Sequence, residues 1–173
     1  PFNSLTLLEY DLGKPRNPFI NAGAIVICDV LISLLKNPKE DFISFVREIS
    51  DCKEINYSTK IAESEKSVGY RNLALINMMK SFSNIKNDIE EVMDFYFDLC
   101  SIEMTCKELS RTFLYLAAFG TDPYSNKKII SESKSKRINA IMQLCGFYDE
   151  AGEFSFKVGL KFYQLVSLVL KLY

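Results

Sequence analysis

A helix-rich α/β unit with short strands at its two ends is the fold class that these 173 residues predict. Two observations carry that reading. Apolar residues recur at helical spacing through the middle of the chain, between proline, glycine and capping residues that start and stop each run. Only the stretches near the ends, 4–10 and 153–158, read as extended chain, the second by its alternation of apolar and polar residues. Strands placed that way imply a sheet whose other members lie outside this chain.

The elements follow in order. Residues 4–10 read as a short strand, and Asp11-Leu12-Gly13-Lys14-Pro15 as a turn. Asn17-Pro18 is a turn or helix-start signal, because proline pre-sets φ for a first helical turn. The helix that follows is apolar over 25–35 except at Asp29 and Ser33, which predicts burial most of the way round. Pro38 opens a second helix, with acids in its first turn and Phe42, Phe45, Val46 and Ile49 at helical spacing. Residues 51–57 read as a loop. Ser58 can cap a short helix ending near Gly69. Helices are expected over 71–82, 88–99 and 105–119, the last opened by the capping-box spacing Thr105-x-x-Glu108. Residues 122–126 form an exposed turn, 131–144 a helix with a basic outer face, and 161–173 carries no clear period. With no internal repeat and no linker, the chain is not divided further.

Composition narrows the function classes. The chain is 48% hydrophobic and 25% charged, with net charge −1, which argues against nucleic acid or an anionic membrane surface as partner. Its longest apolar run is too short to span a bilayer. The chain begins at Pro1 without a Met, so the true N-terminus is expected upstream. Five cysteines, odd in number and without a Cys-x-x-Cys pair, point to a reduced, cytoplasmic protein without zinc. Histidine is absent, which rules out a Ser-His-Asp triad, a Cys-His dyad and any histidine metal site within these residues. Acid–base work here falls to Lys, Tyr, Glu or Asp.

The most informative stretch is Asn17-Pro18-Phe19-Ile20-Asn21-Ala22-Gly23-Ala24. Its small residues allow close approach of a ligand or another backbone. Asn21 sits at a helix mouth, where free N–H groups favour an anion. The stretch resembles the signature of the serine-dependent glutaminases. Three more stretches do so in the same order: Ser64-Glu65 to Gly69-Tyr70-Arg71-Asn72, then Asp94-Phe95-Tyr96-Phe97 with Cys100-Ser101-Ile102-Glu103, then Cys145-Gly146-Phe147-Tyr148-Asp149. Read alone, each has a plainer meaning: a glycine helix stop, an aromatic core stripe, a helix end before a strand. Together they are specific.

The resemblance implies the serine β-lactamase/transpeptidase-like α/β fold, of which this chain would carry mostly the helical subdomain. It implies hydrolysis of L-glutamine to L-glutamate and ammonia through a serine acyl-enzyme. It assigns Asn21, Glu65, Asn72, Tyr96 and Tyr148 to substrate binding, with Tyr96 and Tyr148 as proton-relay candidates. It implies no metal, no organic cofactor, and a homodimer or homotetramer when full length. The physics agrees: a carboxylate, expected to be partly buried, suits the substrate ammonium, and asparagine amides at a helix start suit its carboxylate.

The family's nucleophile and lysine, in Ser-x-x-Lys, should lie before Pro1. Ser125-x-x-Lys128 and Ser133-Lys134-Ser135-Lys136 match by count only, in an exposed polar stretch. The family also continues after Val158-Gly159-Leu160 with Pro-Ala-Lys-Ser-Gly-Val, where this chain has Lys161-Phe162-Tyr163-Gln164-Leu165-Val166. Residues 1–160 therefore read as a partial glutaminase domain and 161–173 as a divergent tail. A frameshift after Leu160 is one hypothesis for it, since permissible codons read in another frame give Pro-Ala-Ser-Lys-Ser-Gly-Val; genomic sequence tests it. The alternative to an enzyme fragment is a non-catalytic remnant serving as a binding or scaffold module of the same fold.

Overall fold

The computed structural model describes residues 3–158. They fall into two compact units. The first takes the described residues up to Phe45 with Ile55–Glu103; the second takes Val46–Glu54 with the described residues from Met104 onward.

In the first unit the chain runs through α1 (Leu5–Tyr10), α2 (Asn21–Leu34), the first part of α3 (Pro38–Ser50), β1 (Asn56–Tyr57), α4 (Thr59–Ser67), α5 (Tyr70–Ser81), α6 (Ile89–Leu99) and β2 (Ile102–Glu103). Helix α2 packs on α5 and α6, α4 on α6, and α1 on α5. Ile25, Leu75, Ile76, Met79, Val92 and Phe95 form the centre of the core they share. Each helix starts for a local reason. Asp88 caps α6 by accepting from the N–H groups of Glu90 and Glu91, and those acids favour the positive end of the helix dipole. The start of α2 depends on contact rather than a cap. A Cβ at Gly23 would lie 2.2 Å from the Asn17 carbonyl oxygen and 2.6 Å from Pro18 Cα, so only glycine lets the Asn17-Pro18 turn lie against the first turn of the helix.

Several expectations are corrected here. Residues 4–10 are not a strand: Ser4 Oγ accepts from the Leu7 N–H and caps α1, and of the leucines only Leu8 is buried, so no alternating face exists. The strands that do form, β1 and β2, lie inside the unit, one of them within the segment read as a loop. They pair antiparallel with Asn56 opposite Glu103 and Tyr57 opposite Ile102. Helix α2 is not buried all round. Ile25, Cys28 and Asp29 face the core, whereas Ile27, Val30 and Leu34 are exposed, Leu34 by 75%. Among the described residues α2 is covered along one stripe only, by α5 and α6.

The second unit contains α7 (Cys106–Ala117), α8 (Glu132–Gly146), a short 3-10 turn (Tyr148–Glu150) and α9 (Ala151–Val158). The capping box at the start of α7 forms as expected, with Thr105 and Glu108 each accepting from the other's N–H. Residues 153–158 are helical, not a strand. Phe154 stacks on Phe147 with centroids 4.0 Å apart, Lys157 pairs with Glu153 one turn earlier, and Phe156 is 88% exposed. Local helical pairs outcompete the alternation when no neighbouring strand is present to reward it. The divergent tail, 161–173, and the Val158-Gly159-Leu160 segment beyond Val158 lie outside the described residues.

The 122–126 turn is organised by Asp122. Its carboxylate accepts from Arg111 Nη2 at 2.8 Å, from the Tyr124 and Ser125 N–H groups and from the Ser125 hydroxyl, while Arg111 lies 4.9 Å over the Tyr124 ring. The Arg111 bond above all, and those from Ser125 and Tyr124, hold the Asp122 carboxyl far below its ordinary 3.8 against the opposing effect of burial. A carboxyl depressed on folding contributes stability above its unfolded pKa and loses it as pH falls toward the folded value. Asp122→Asn is therefore expected to destabilise the second unit by a constant amount above about pH 5, the difference shrinking between about pH 4 and pH 2. Denaturant melts of both proteins across that range measure it. A difference that grows on acidification would contradict the sign.

Among the described residues, no single helix is long and apolar enough to cross a membrane.

Candidate functional site

Helices α2 and α5 both begin without a side-chain cap: Ile20 and Gly69 occupy the N-cap positions, and neither supplies an acceptor. The first turn of each helix therefore keeps N–H groups with no intrahelical partner. The two starts lie side by side, because Asn21 Nδ2, on the first residue of α2, donates to Asn72 Oδ1, in the first turn of α5, at 2.8 Å. Uncapped helix starts with amides at their mouths favour an anion.

Glu65 and Tyr96 reach the same unit from α4 and α6. Gly69 explains how closely these helices meet: a Cβ there would fall 2.6 Å from Phe97 Cζ. Tyr96 is 7% exposed and packed edge-on to Phe97, with Cys100 one turn later on the same helix. Burial, then the Cys100 and Cys28 thiols and the Glu65 charge, push the phenol well above its usual range. Burial, with a smaller push from Glu65, also raises Cys100, against the opposing effect of the Tyr96 hydroxyl, and burial drives Cys28 up to about 12. The tyrosine is thus a protonated hydroxyl in an apolar setting. Glu65 itself is exposed, unlike the partly buried carboxylate expected from the sequence, because α4 has no buried residue.

Of the five residues singled out in the sequence, four belong to the first unit. Asn21 and Asn72 touch; Glu65 and Tyr96 interact electrostatically. Tyr148 opens the 3-10 turn of the second unit, and its side chain lies outside the described part of the structure. The Ser-x-x-Lys look-alikes are exposed at Ser125, whose hydroxyl donates to Asp122, and at Ser133, but Ser135 is fully buried and donates to the Leu116 carbonyl, so that stretch is not all solvated surface. Sequence reasoning missed Asn3, whose Nδ2 donates to Asn21 Oδ1 at 3.0 Å. No local pattern marks a residue that far upstream. Among the described residues no cluster of His, Cys, Asp or Glu could hold a metal ion.

These features define a class: the helical part of a β-lactamase/transpeptidase-like α/β fold, with an amide pair at two helix mouths and a buried tyrosine in the same unit. The family model described as glutaminase matches residues 1–164. The chain is 60% identical over 159 residues to a glutaminase of Saccharophagus degradans, covering 92% of this chain and 52% of the relative. It is 54% identical over 160 residues to a glutaminase of Christiangramia forsetii, covering 92% and 53%. A probable glutaminase of Bacillus subtilis superposes with a TM-score of 0.81 at 29% identity, over 89% of this chain and 50% of that one. The chain belongs to the glutaminase family, and it spans about half the length of the curated relatives it matches.

Proposed function

We propose that this chain supplies the amino-acid-binding half of an enzyme that hydrolyses L-glutamine to L-glutamate and ammonia. The observation that carries the reading is the Asn21–Asn72 hydrogen bond between two uncapped helix starts, a ready cradle for a substrate carboxylate. Glu65 would hold the ammonium group by charge-assisted hydrogen bonds. Tyr96, protonated and buried, would give and take back a proton at the reacting centre, with Tyr148 a second candidate. The absence of histidine fits a serine nucleophile paired with lysine, both supplied from outside these residues. A cytoplasmic homodimer or homotetramer belongs to the same proposal, supported by the unpatterned cysteines and the family resemblance.

The test is a chimaera. Residues 1–160 replace the matched segment of the Saccharophagus degradans relative, and ammonia release from L-glutamine is followed. Turnover within tenfold of the parent is expected, while the isolated chain is expected to release none, since the family's Ser-x-x-Lys pair has no counterpart at the matching place in its sequence. A chimaera that melts cooperatively yet releases no ammonia would overturn the proposal.

A further inference from the structure

Three asparagines form a directed chain of amides. Asn3 Nδ2 donates to Asn21 Oδ1 at 3.0 Å, and Asn21 Nδ2 donates to Asn72 Oδ1 at 2.8 Å. A primary amide has one accepting and one donating end, so each link fixes the orientation of the next. With Asn21 accepting from Asn3, its Nδ2 must face Asn72. With Asn72 accepting from Asn21, the Asn72 Nδ2 is left to point elsewhere with both hydrogens. Asn21 cannot reverse alone, because that would set N–H against N–H at its link to Asn3 and oxygen against oxygen at its link to Asn72.

The far end of the chain is not satisfied. Asn3 Oδ1 is buried and has no hydrogen-bond partner. A buried unmade bond of this kind is destabilising. Reversing all three amides would not relieve it, since Asn3 would then bury an unpartnered Nδ2 instead. The Asn3 end thus lacks a donor, while the Asn72 Nδ2 hydrogens are not used within the amide chain.

We propose that Asn3 is a positioning residue for amino-acid recognition: it sets the orientation of the Asn21 amide, and through it presents the Asn72 Nδ2 hydrogens to the carboxylate of the bound amino acid. This rests on the glutamine-binding reading of Asn21 and Asn72. Selectivity for a carboxylate follows from polarity alone. In the observed orientation the last amide offers donors; reversed, it offers an oxygen, which repels a carboxylate.

Asn3→Asp tests it in the full 173-residue chain. The replacement has nearly the same shape, but as an ionised carboxylate it can only accept. Asn21 must then turn Nδ2 toward that carboxylate, and Asn72 must donate to Asn21 Oδ1. Side-chain amide spectra of the 15N-labelled chain read this without any ligand. The Asn21 and Asn72 NH2 groups are expected to exchange their pattern of bonded and free protons relative to the wild type. L-glutamate, added to both, is expected to bind at least tenfold more weakly to Asn3→Asp. Asn3→Ala serves if the aspartate variant does not fold, and it should leave the Asn21 amide exchanging between orientations. A residue that merely filled space would make alanine the more harmful change and leave the amide pattern of the aspartate variant untouched. Unchanged Asn21 and Asn72 amide signals in either variant would overturn the proposal. Wild-type chain that shows the amide relay but binds no glutamate would instead overturn the glutamine-binding reading, leaving the relay established.

Discussion

Asp29→Ala is expected to lower the stability of the first unit by about 3–5 kcal/mol, the largest loss expected of any single substitution away from the site. Asp29 is the one charged residue in the apolar run of α2, and it is 3% exposed. Its carboxylate gathers the loop between α5 and α6: the Lys86 N–H at 3.1 Å, the Asn87 N–H at 2.9 Å and Asn87 Nδ2 at 2.9 Å. Asn87 Nδ2 also reaches the Asp29 carbonyl and the Ser33 hydroxyl, so one side chain ties the loop to two turns of α2. Alanine leaves two donors, the Lys86 and Asn87 N–H groups, without their acceptor beside the core, while Asn87 Nδ2 keeps the residue-29 carbonyl and the Ser33 hydroxyl. Each unmade bond costs about 1–3 kcal/mol, and water entering from the loop side recovers part of it. Asp29→Asn keeps the shape but has one accepting oxygen, so about half the loss is expected. Denaturant unfolding gives the total, and amide exchange at Ile85 to Asn87 locates it. A change below about 1 kcal/mol would show that the loop is held by other contacts.

How much of this is legible in the sequence depends on the range of the interactions involved. The α6 cap and the α7 capping box are readable because their partners lie within one turn. Asn21 is readable as a candidate from its place at a helix mouth and Asn72 only through a resemblance, and nothing in the spacing of 51 residues says that the two amides will touch. Asp29 stands out as a polar exception in an apolar run, but its reason, two backbone N–H groups and an amide nearly sixty residues on, is tertiary. The two stretches that fold otherwise than expected share one cause. The patterns at 4–10 and 153–158 suit a strand, yet such a pattern predicts a strand only where another strand exists to pair with it. In the described residues α1 and α9 have none, and short-range capping and i,i+4 pairs decide the outcome.

Tyr96→Phe in the chimaera is expected to lower kcat roughly a hundred- to ten-thousand-fold, the range typical of losing a general acid–base group, with KM changed little. The competing view is that Tyr96 is one more core aromatic in Asp94-Phe95-Tyr96-Phe97, and the two views differ in what the hydroxyl is worth. Phenylalanine keeps the ring and its edge-on packing against Phe97 and removes only the hydroxyl, whose nearest polar influence is the Cys100 thiol. A thiol is a weak partner, so a purely structural hydroxyl is worth about 1 kcal/mol or less, and activity in folded enzyme would barely move. Placing a polar hydroxyl in an apolar setting, with burial and Glu65 both opposing its ionisation, gains little for stability. It makes sense for a group that must hold its proton until a developing charge in the substrate takes it. The pH profile separates the roles further. Because the phenol is pushed upward, Tyr96 stays protonated through the neutral range, and no limb of the profile between about pH 7 and 9 should disappear in Tyr96→Phe. A variant with parental melting temperature and kcat within threefold of the parent would assign Tyr96 to the core and move the proton relay to Tyr148.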